Sequence, residues 1–254
     1  MNKNCISYWY PKLAEAGVPT PRTTIITTKL DLGSLFDDPL LKAKKSREFS
    51  AFIEEIEAAA EATGYPVFLR TGHLSAKFGW ETTCCVEKRC DVAKHICELV
   101  ECSCTSTMID LPTDVWAVRE MLPTEPIFTV RHGMPINRER RYFVGDGKVV
   151  CHHPYWPEDA VEKTFPYGAV PMRQPMEEPK RIEPEHWREK LTALNCETES
   201  EIAELMTLSM RVARQFSGAW SVDWLHTTRG WFCIDMAEAH RSFHWAGCPQ
   251  EKRR

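Results

Sequence analysis

The chain has 254 residues, of which 43% are hydrophobic and 27% charged, and its 32 Lys and Arg are outnumbered by 36 Asp and Glu. This composition excludes a disordered chain, and the formal net charge of -4 argues against a strongly basic nucleic-acid binder. The sequence shows neither a run of about 18 apolar residues nor a basic-then-apolar leader pattern, so we expect a cytoplasmic protein that has no membrane partner.

The first half of the chain contains both helical and strand-like patterns. Apolar residues repeat at helical spacing after Ser46, which is a suitable N-cap, and Gly64 is typical of a helix C-terminus. Runs of β-branched or apolar residues predict strands. The predicted elements, in chain order, are a helix at Tyr8–Leu13, a strand at Thr23–Thr28, a helix from Ser46 to Gly64, strands at Pro66–Arg70 and Glu81–Val86, and a helix at Asp91–Cys102.

The second half is predicted to be rich in antiparallel strands, so the whole pattern predicts the α+β class. Prolines are frequent from Pro154 to Pro184, where we expect an irregular and exposed stretch. Thr198 and Glu201 have the form of a capping box that begins a helix. Strands are predicted at Val115–Leu122, Ile127–Arg131, Arg140–Val144 and Lys148–His152, and a hairpin is predicted from Ala219–Leu225 and Gly230–Met236.

The cysteine pattern favours structural thiols over a metal site. Eleven cysteines are present, and six of them lie between Cys84 and Cys104. Zinc sites commonly use paired ligands at CxxC-like spacing, which this stretch lacks, so we expect these residues to pack as small reduced hydrophobes. His240 and His244 are four residues apart but lie outside an HExxH motif, which also argues against zinc.

The segment Leu69–Trp80 is a candidate phosphate-binding loop. Arg70 ends an apolar strand, and the loop that follows contains two glycines, Ser75 and Lys77. Backbone N–H groups and a lysine ammonium both favour anions, so this loop could cover a polyphosphate. An ordinary exposed hairpin is the alternative, since the segment is not a Walker A motif.

Two aspartates lie on adjacent strands of the predicted C-terminal hairpin. Asp223 and Asp235 each stand between apolar neighbours, so their carboxylates should be paired, hydrogen-bonded or bound to a metal. Mg²⁺ prefers such oxygen ligands and shares them with nucleotide phosphates, and Glu238 is a candidate third ligand. Structural salt bridges to arginines are the alternative.

Two further strand segments carry candidate binding residues. Along Arg138–Phe143, strand alternation places Glu139 and Arg141 on one face and Arg140 on the other. An arginine that faces a cleft could clamp phosphate oxygens, whereas a cross-strand ion pair on the surface is the alternative. The segment Val118–Pro123 is typical of a strand that links two lobes, and its backbone could pair with the edge of a base.

Taken in this order, the segments resemble the ATP-grasp superfamily, in particular its small members in phage and bacterial genomes. The family's first grasp element has a similar counterpart here in PVFLRTGHLSAKFGWETTC. The family's adenine-binding hinge has one in VREMLP. The E-x-R strand with its hairpin resembles INRERRYFVGDGKVVCHHPYWP, and the metal-binding hairpin resembles WSVDWLHTTRGWFCIDMAEAHRS. The resemblance implies an α+β fold in which two α/β lobes with antiparallel sheets grip a nucleotide. The implied division is an N-terminal segment at 1–45, a first lobe at 46–119 and a second lobe at 120–254.

The resemblance also implies a role for each matching residue. Lys77 and Arg141 would be catalytic, and Arg141 would neutralise charge on the transferred phosphoryl group. Contacts to ATP would come from Arg70, Ser75, Lys77, Glu120, Met121, Leu122, Glu125 and Arg141. Ligands to Mg²⁺ would be Asp223, Asp235 and Glu238. The candidate substrate contacts are Arg241, Ser242 and His153.

We therefore expect an ATP- and Mg²⁺-dependent ligase that joins a carboxylate to an amine or similar nucleophile through an acylphosphate, with release of ADP and phosphate. The partners would be ATP, an unidentified carboxylate, and an acceptor that is a small molecule or a peptide. One residue departs from the family pattern, because Ala237 stands where the second metal motif has Asn. An ATP-binding assembly or regulatory protein without ligase activity is therefore the alternative. The acidic charge balance argues against a role in modifying nucleic acid.

Overall fold

The computed structural model describes residues 2–33, 39–105, 111–166, 182–245 and 248, and only the backbone is described for 39–46. The described residues form helices and antiparallel strands in two four-stranded sheets and one two-stranded sheet, which confirms the α+β class. No helix among them is long and apolar enough to cross a membrane.

The first sheet has the order β1 (Thr23–Thr27), β4 (Val115–Glu120), β2 (Val67–Thr71) and β3 (Cys85–Val86). Strand alternation divides the side chains of β4 between its two faces. Trp116 and Val118 pack against the helices α2 (Pro39–Thr63) and α3 (Val92–Thr105), whereas Val115 and Ala117 belong to the core of the second sheet. The first sheet is therefore buried between its own helices and the rest of the protein.

The second sheet has the order β8 (Lys148–Pro154), β7 (Glu139–Gly145), β9 (Trp220–Thr227) and β10 (Gly230–Glu238). The helices α1 (Ile6–Glu15) and α6 (Glu199–Gln215) contribute to its core through Trp9, Leu205 and Val212. As predicted, Thr198 caps α6, because its hydroxyl accepts a hydrogen bond of 3.2 Å from the backbone N–H of Glu201.

A third, smaller core corrects the prediction for the Pro154–Pro184 stretch. The helices α4 (Glu158–Glu162) and α5 (Trp187–Asn195) pack with the short pair β5 (Phe128–Thr129) and β6 (Pro135–Ile136). Trp156 and Phe165 are buried there, so the start of the stretch is partly helical and partly buried, although Asp159 and Lys163 are exposed as predicted. Residues 167–181 of this prediction lie outside the described residues.

Element boundaries differ from the predictions at several places, and the strand expected at Ile127–Arg131 is reduced to Phe128–Thr129. The helix expected from Ser46 begins earlier, at Pro39, because good helix formers precede Ser46 and proline is well accommodated in a first turn. The strand expected at Glu81–Val86 is reduced to two residues. Its first part is held in turns instead, since Thr82 and Thr83 both donate hydrogen bonds back to the carbonyl of Gly79.

The three-part division of the chain stays a prediction. Within the described residues, the predicted N-terminal segment contributes to both sheets. Its strand β1 pairs with β4, and its helix α1 packs in the core of the second sheet.

Candidate functional site

A cleft of about 250 Å³ lies between the two sheets. Its walls come from β2 and β4 on one side and from β7, β9 and β10 on the other. The fold thereby gathers eight of the residues selected from the sequence: Arg70, Ser75, Lys77, Glu120, Met121, Leu122, Asp223 and Asp235.

The two hairpin aspartates form a charge-balanced cluster with two arginines. Asp223 and Asp235 lie directly opposite each other on β9 and β10. Both oxygens of Asp223 accept hydrogen bonds from Arg141, at 2.7 and 2.8 Å, and Asp235 accepts one from Arg70 at 3.0 Å. Burial alone would lower the pKa of Arg141, but the Asp223 carboxylate raises it above its ordinary value. These contacts form the salt bridges that were the alternative to metal binding.

The same carboxylates also fit a magnesium ion. They are hard oxygen ligands on adjacent strands, which is the donor set that Mg²⁺ prefers when it is shared with phosphates. The Asp235 side chain is 38% exposed and is therefore accessible to a cation that enters the cleft. An ion at this position would compete with the two guanidinium groups for the aspartates.

The side chains of β7 alternate as predicted. Glu139 lines the cleft, and Arg141 pairs with Asp223 beside it. Arg140 lies on the opposite face, fully buried, in an ion pair of 2.6 Å with Glu201. The Glu201 carboxylate is therefore engaged by Arg140 and also by Arg138, rather than by the α6 N-terminus.

Lys77 reaches across the cleft from the loop after β2. Its ammonium lies 3.6 Å from the Glu139 carboxylate, 4.0 Å from the ring centre of Tyr155 and 4.4 Å from that of Trp156. Burial would lower the pKa of Lys77, but Glu139 and Tyr155 raise it, so the side chain stays protonated. Burial also raises the pKa of Glu139, whose second oxygen accepts a hydrogen bond from Trp156. Lys77 thus connects this loop to the opposite wall of the cleft.

The predicted hinge follows β4 along one wall of the cleft. Glu120 ends the strand, and Met121 and Leu122 line the cleft directly after it. Burial would raise the pKa of Glu120, but hydrogen bonds from Arg22 and Arg229 lower it, so its carboxylate is held in ion pairs. The backbone, rather than this side chain, is the part of the hinge suited to contact a base.

Six predicted residues do not line the cleft, and one of them is Arg141, which pairs with the lining residue Asp223. Glu125 and Arg241 are exposed. Glu238 hydrogen-bonds with Asn4 through both its carboxylate and its backbone N–H, so it is not brought together with the two aspartates. The remaining two are buried near the cleft rather than on its lining, and they are Ser242 and His153.

Sequence reasoning missed several residues of the cleft. Arg119 lies within the predicted hinge segment and is buried, and it donates a hydrogen bond of 2.6 Å to the Ile234 carbonyl. Burial and the neighbouring charge of Arg70 lower its pKa to about 10. Arg119 could have been predicted from the sequence, because it lies in the segment Val118–Pro123, which was already expected to contact the base. For Tyr155, whose ring lines the cleft, no local pattern distinguishes a cleft lining from an exposed loop.

The sequence matches no protein-family model and no curated protein. Similar solved structures include Cdc123 from Schizosaccharomyces pombe, with a TM-score of 0.53, 16% identity, and coverage of 93% of this chain and 83% of that chain. Another is N5-carboxyaminoimidazole synthase from Aspergillus clavatus in complex with ADP and 5-aminoimidazole ribonucleotide. Its TM-score is 0.51 and its identity 12%, and the match covers 95% of this chain and 46% of that chain. A third is the biotin carboxylase domain of the Hydrogenobacter thermophilus 2-oxoglutarate carboxylase with MgADP and bicarbonate, with a TM-score of 0.50, 12% identity, and coverage of 92% of this chain and 39% of that chain.

These likenesses, together with the two antiparallel sheets that enclose the cleft, show that the chain has the ATP-grasp fold. The chain spans less than half of the length of the synthase and of the carboxylase domain structure, but most of the length of Cdc123.

Proposed function

We propose that the protein binds Mg-ATP in the cleft and uses it to join a carboxylate to an amine or a similar nucleophile. One observation carries the proposal: the fold gathers basic residues, an acidic pair and a hinge backbone around a single cleft. The MgADP and ADP in two of the similar structures support a nucleotide as the ligand.

The proposed phosphate end of the cleft has three cationic side chains, each held by a carboxylate. Arg70 pairs with Asp235, Lys77 with Glu139 and Arg141 with Asp223. These ion pairs position the cations before the nucleotide arrives. Phosphate oxygens would take over part of these contacts, because a planar guanidinium binds phosphate and carboxylate with the same geometry.

The proposed base end is apolar and lies along the hinge. Phe68 and Met121 from the first sheet and Leu225 from the second line this part of the cleft. A flat aromatic base buries well between apolar side chains, while a few polar groups fix its orientation. The backbone directly after Glu120 lies outside the strands, so its N–H and C=O groups would supply these polar contacts to the base.

The proposed reaction has two steps. A substrate carboxylate oxygen would attack the γ-phosphorus, the bond from that phosphorus to the bridging oxygen would break, and ADP would leave. The amine would then attack the carbonyl carbon, lose a proton, and expel phosphate. Bound between Asp223 and Asp235, Mg²⁺ would supply charge neutralisation at the phosphates. Arg141 and Lys77 would add to that stabilisation without a protein nucleophile.

A coupled assay of ADP release tests this function. The purified protein is incubated with Mg-ATP and a panel of carboxylic acids, with and without amines. We expect ADP release that requires both metal and one class of carboxylate, and that falls by at least about 100-fold in Arg141→Ala, because a charge-stabilising contact of the transition state is lost. ATP binding with no turnover on any acid in the panel contradicts the ligase assignment.

A non-ligating assembly or regulatory function is the second candidate. Ala237 offers no side-chain oxygen where the family motif has Asn, and both aspartates are already neutralised by arginines. This candidate predicts nucleotide binding without carboxylate-dependent hydrolysis. Ala237→Asn distinguishes the two, since restored turnover in this variant shows that the missing ligand alone prevents catalysis.

A further inference from the structure

Two rows of side chains cross the second sheet on the face that meets the cleft. The first row contains His153, Arg141, Asp223 and Asp235, at directly opposite positions on β8, β7, β9 and β10. The neighbouring row, two residues along each strand, contains Cys151, Phe143, Ser221 and Ala237. The proposed nucleotide site uses Arg141, Asp223 and Asp235 of the first row, whereas Cys151, Phe143 and Ser221 of the second row have no role in it.

The segment after β10 lies over this second row. The Ser242 and Ser221 hydroxyl oxygens are 2.5 Å apart, and the His244 ring stacks on Phe143 with 3.6 Å between ring centres. Beyond His244, the backbone N–H of Cys248 donates a hydrogen bond of 3.1 Å to the Trp245 carbonyl.

Three soft metal ligands lie close together beside this row. Cys151 Sγ lies 3.9 Å from His244 Nδ1, and the ligand atoms of Cys151, His244 and Cys248 all lie within 4.8 Å of one another. In a tetrahedral zinc site, bond lengths of about 2.3 Å to sulfur and 2.0 Å to nitrogen place two such ligand atoms roughly 3.6 Å apart. The observed sulfur-to-nitrogen distance is therefore within a few tenths of an ångström of that required.

We propose that Cys151, His244 and Cys248 bind a zinc ion. Two thiolates and one imidazole form a donor set that selects zinc over magnesium or calcium, and three protein ligands leave the fourth position to a water molecule. The stacking of His244 on Phe143 fixes the plane of the imidazole, which is how supporting contacts orient metal ligands. No local sequence pattern indicates this site, since Cys151 and His244 are 93 residues apart.

The proposed ion has a structural consequence for the cleft. It would fasten the segment after β10 to the edge strand β8, across β7 and β9. Arg141 already donates a hydrogen bond of 3.5 Å to the carbonyl of Phe243, the residue before His244. The fastened segment would therefore hold one end of the Arg141–Asp223 pair in place.

Cobalt substitution tests this site independently of nucleotide binding. The full chain is reduced, stripped with a chelator and titrated with Co²⁺, which reports thiolate ligation through a charge-transfer absorption band and four-coordinate geometry through its visible spectrum. We expect one equivalent to bind and Zn²⁺ to displace it. Cys151→Ser and Cys248→Ser should each weaken binding by on the order of 100-fold or more. The exposed Cys196→Ser serves as the matched control and should bind like the parent protein.

Three results would overturn the proposal. The first is the absence of a thiolate-to-cobalt band in the reduced protein. The second is a band that persists in both Cys151→Ser and Cys248→Ser, which would place the metal elsewhere. The third is a Cys151–Cys248 disulfide, detected by mass spectrometry of protein prepared without reductant, in a chain that binds no cobalt after reduction. Failure of ATP to bind leaves each of these readouts unchanged.

Discussion

Replacement of Arg141 by methionine tests the energetics of the charge cluster in the cleft. The substitution keeps much of the side-chain volume but leaves the Asp223 carboxylate, whose side chain is only 9% exposed, without its two hydrogen bonds of 2.7 and 2.8 Å. Breaking a buried pair by removing one partner costs about 3–5 kcal/mol. For a chain of this length, that loss lowers the melting temperature by roughly 6–20 °C.

The double variant Arg141→Met with Asp223→Asn isolates the interaction. Because the uncompensated charge is then absent, we expect it to be more stable than Arg141→Met, with a coupling free energy of about 1–3 kcal/mol in chemical denaturation. Magnesium should stabilise Arg141→Met more than the parent protein, since the released carboxylate becomes available to the ion. A loss below about 1 kcal/mol in Arg141→Met, or a double variant no more stable than the single one, would refute the reasoning.

Three further predictions concern the scaffold. Thr198→Ala should destabilise the protein by about 1 kcal/mol in urea unfolding, because α6 loses its N-cap hydrogen bond, and an unchanged midpoint would contradict this. Gly72→Ala should cost about 1–3 kcal/mol in the same assay, since the new Cβ would lie 2.5 Å from the Cys5 sulfur, whereas an equally stable variant would show that the site can relax. Burial raises the pKa of Cys84 to about 12, so iodoacetamide at mildly alkaline pH should leave Cys84 intact in the folded protein while it alkylates the exposed Cys90. Peptide mass spectrometry reads both thiols, and equal labelling would contradict the buried position of Cys84.

Local signals in the sequence were sufficient for most of the elements. Strand alternation alone placed Glu139 and Arg141 on one face and Arg140 on the other, because the side-chain period of a strand is fixed. The N-cap at Thr198 was equally readable, since it depends on residues three positions apart.

The features that escaped prediction depend on contacts between distant segments. The orientation of Lys77 is set by Tyr155 and Trp156, which lie in the segment directly after β8. The helix α4 is only five residues long, too short for a helical period to stand out among prolines. The pairing of Asp223 with Arg141 could not be predicted, because it depends on the register between β7 and β9. No pattern within either strand specifies that register.

Calorimetric titration of Mg-ATP into the purified protein tests the central claim most directly. We expect saturable binding in the parent protein, loss of the magnesium dependence in Asp235→Asn, and unchanged binding in the matched control Glu238→Gln, whose side chain lies away from the cleft and can still pair with Asn4. Binding at 100 times the dissociation constant should also stabilise the fold by about 2.7 kcal/mol. No binding of any purine nucleotide, or equal loss of binding in both variants, would contradict the assignment of the cleft as a nucleotide site.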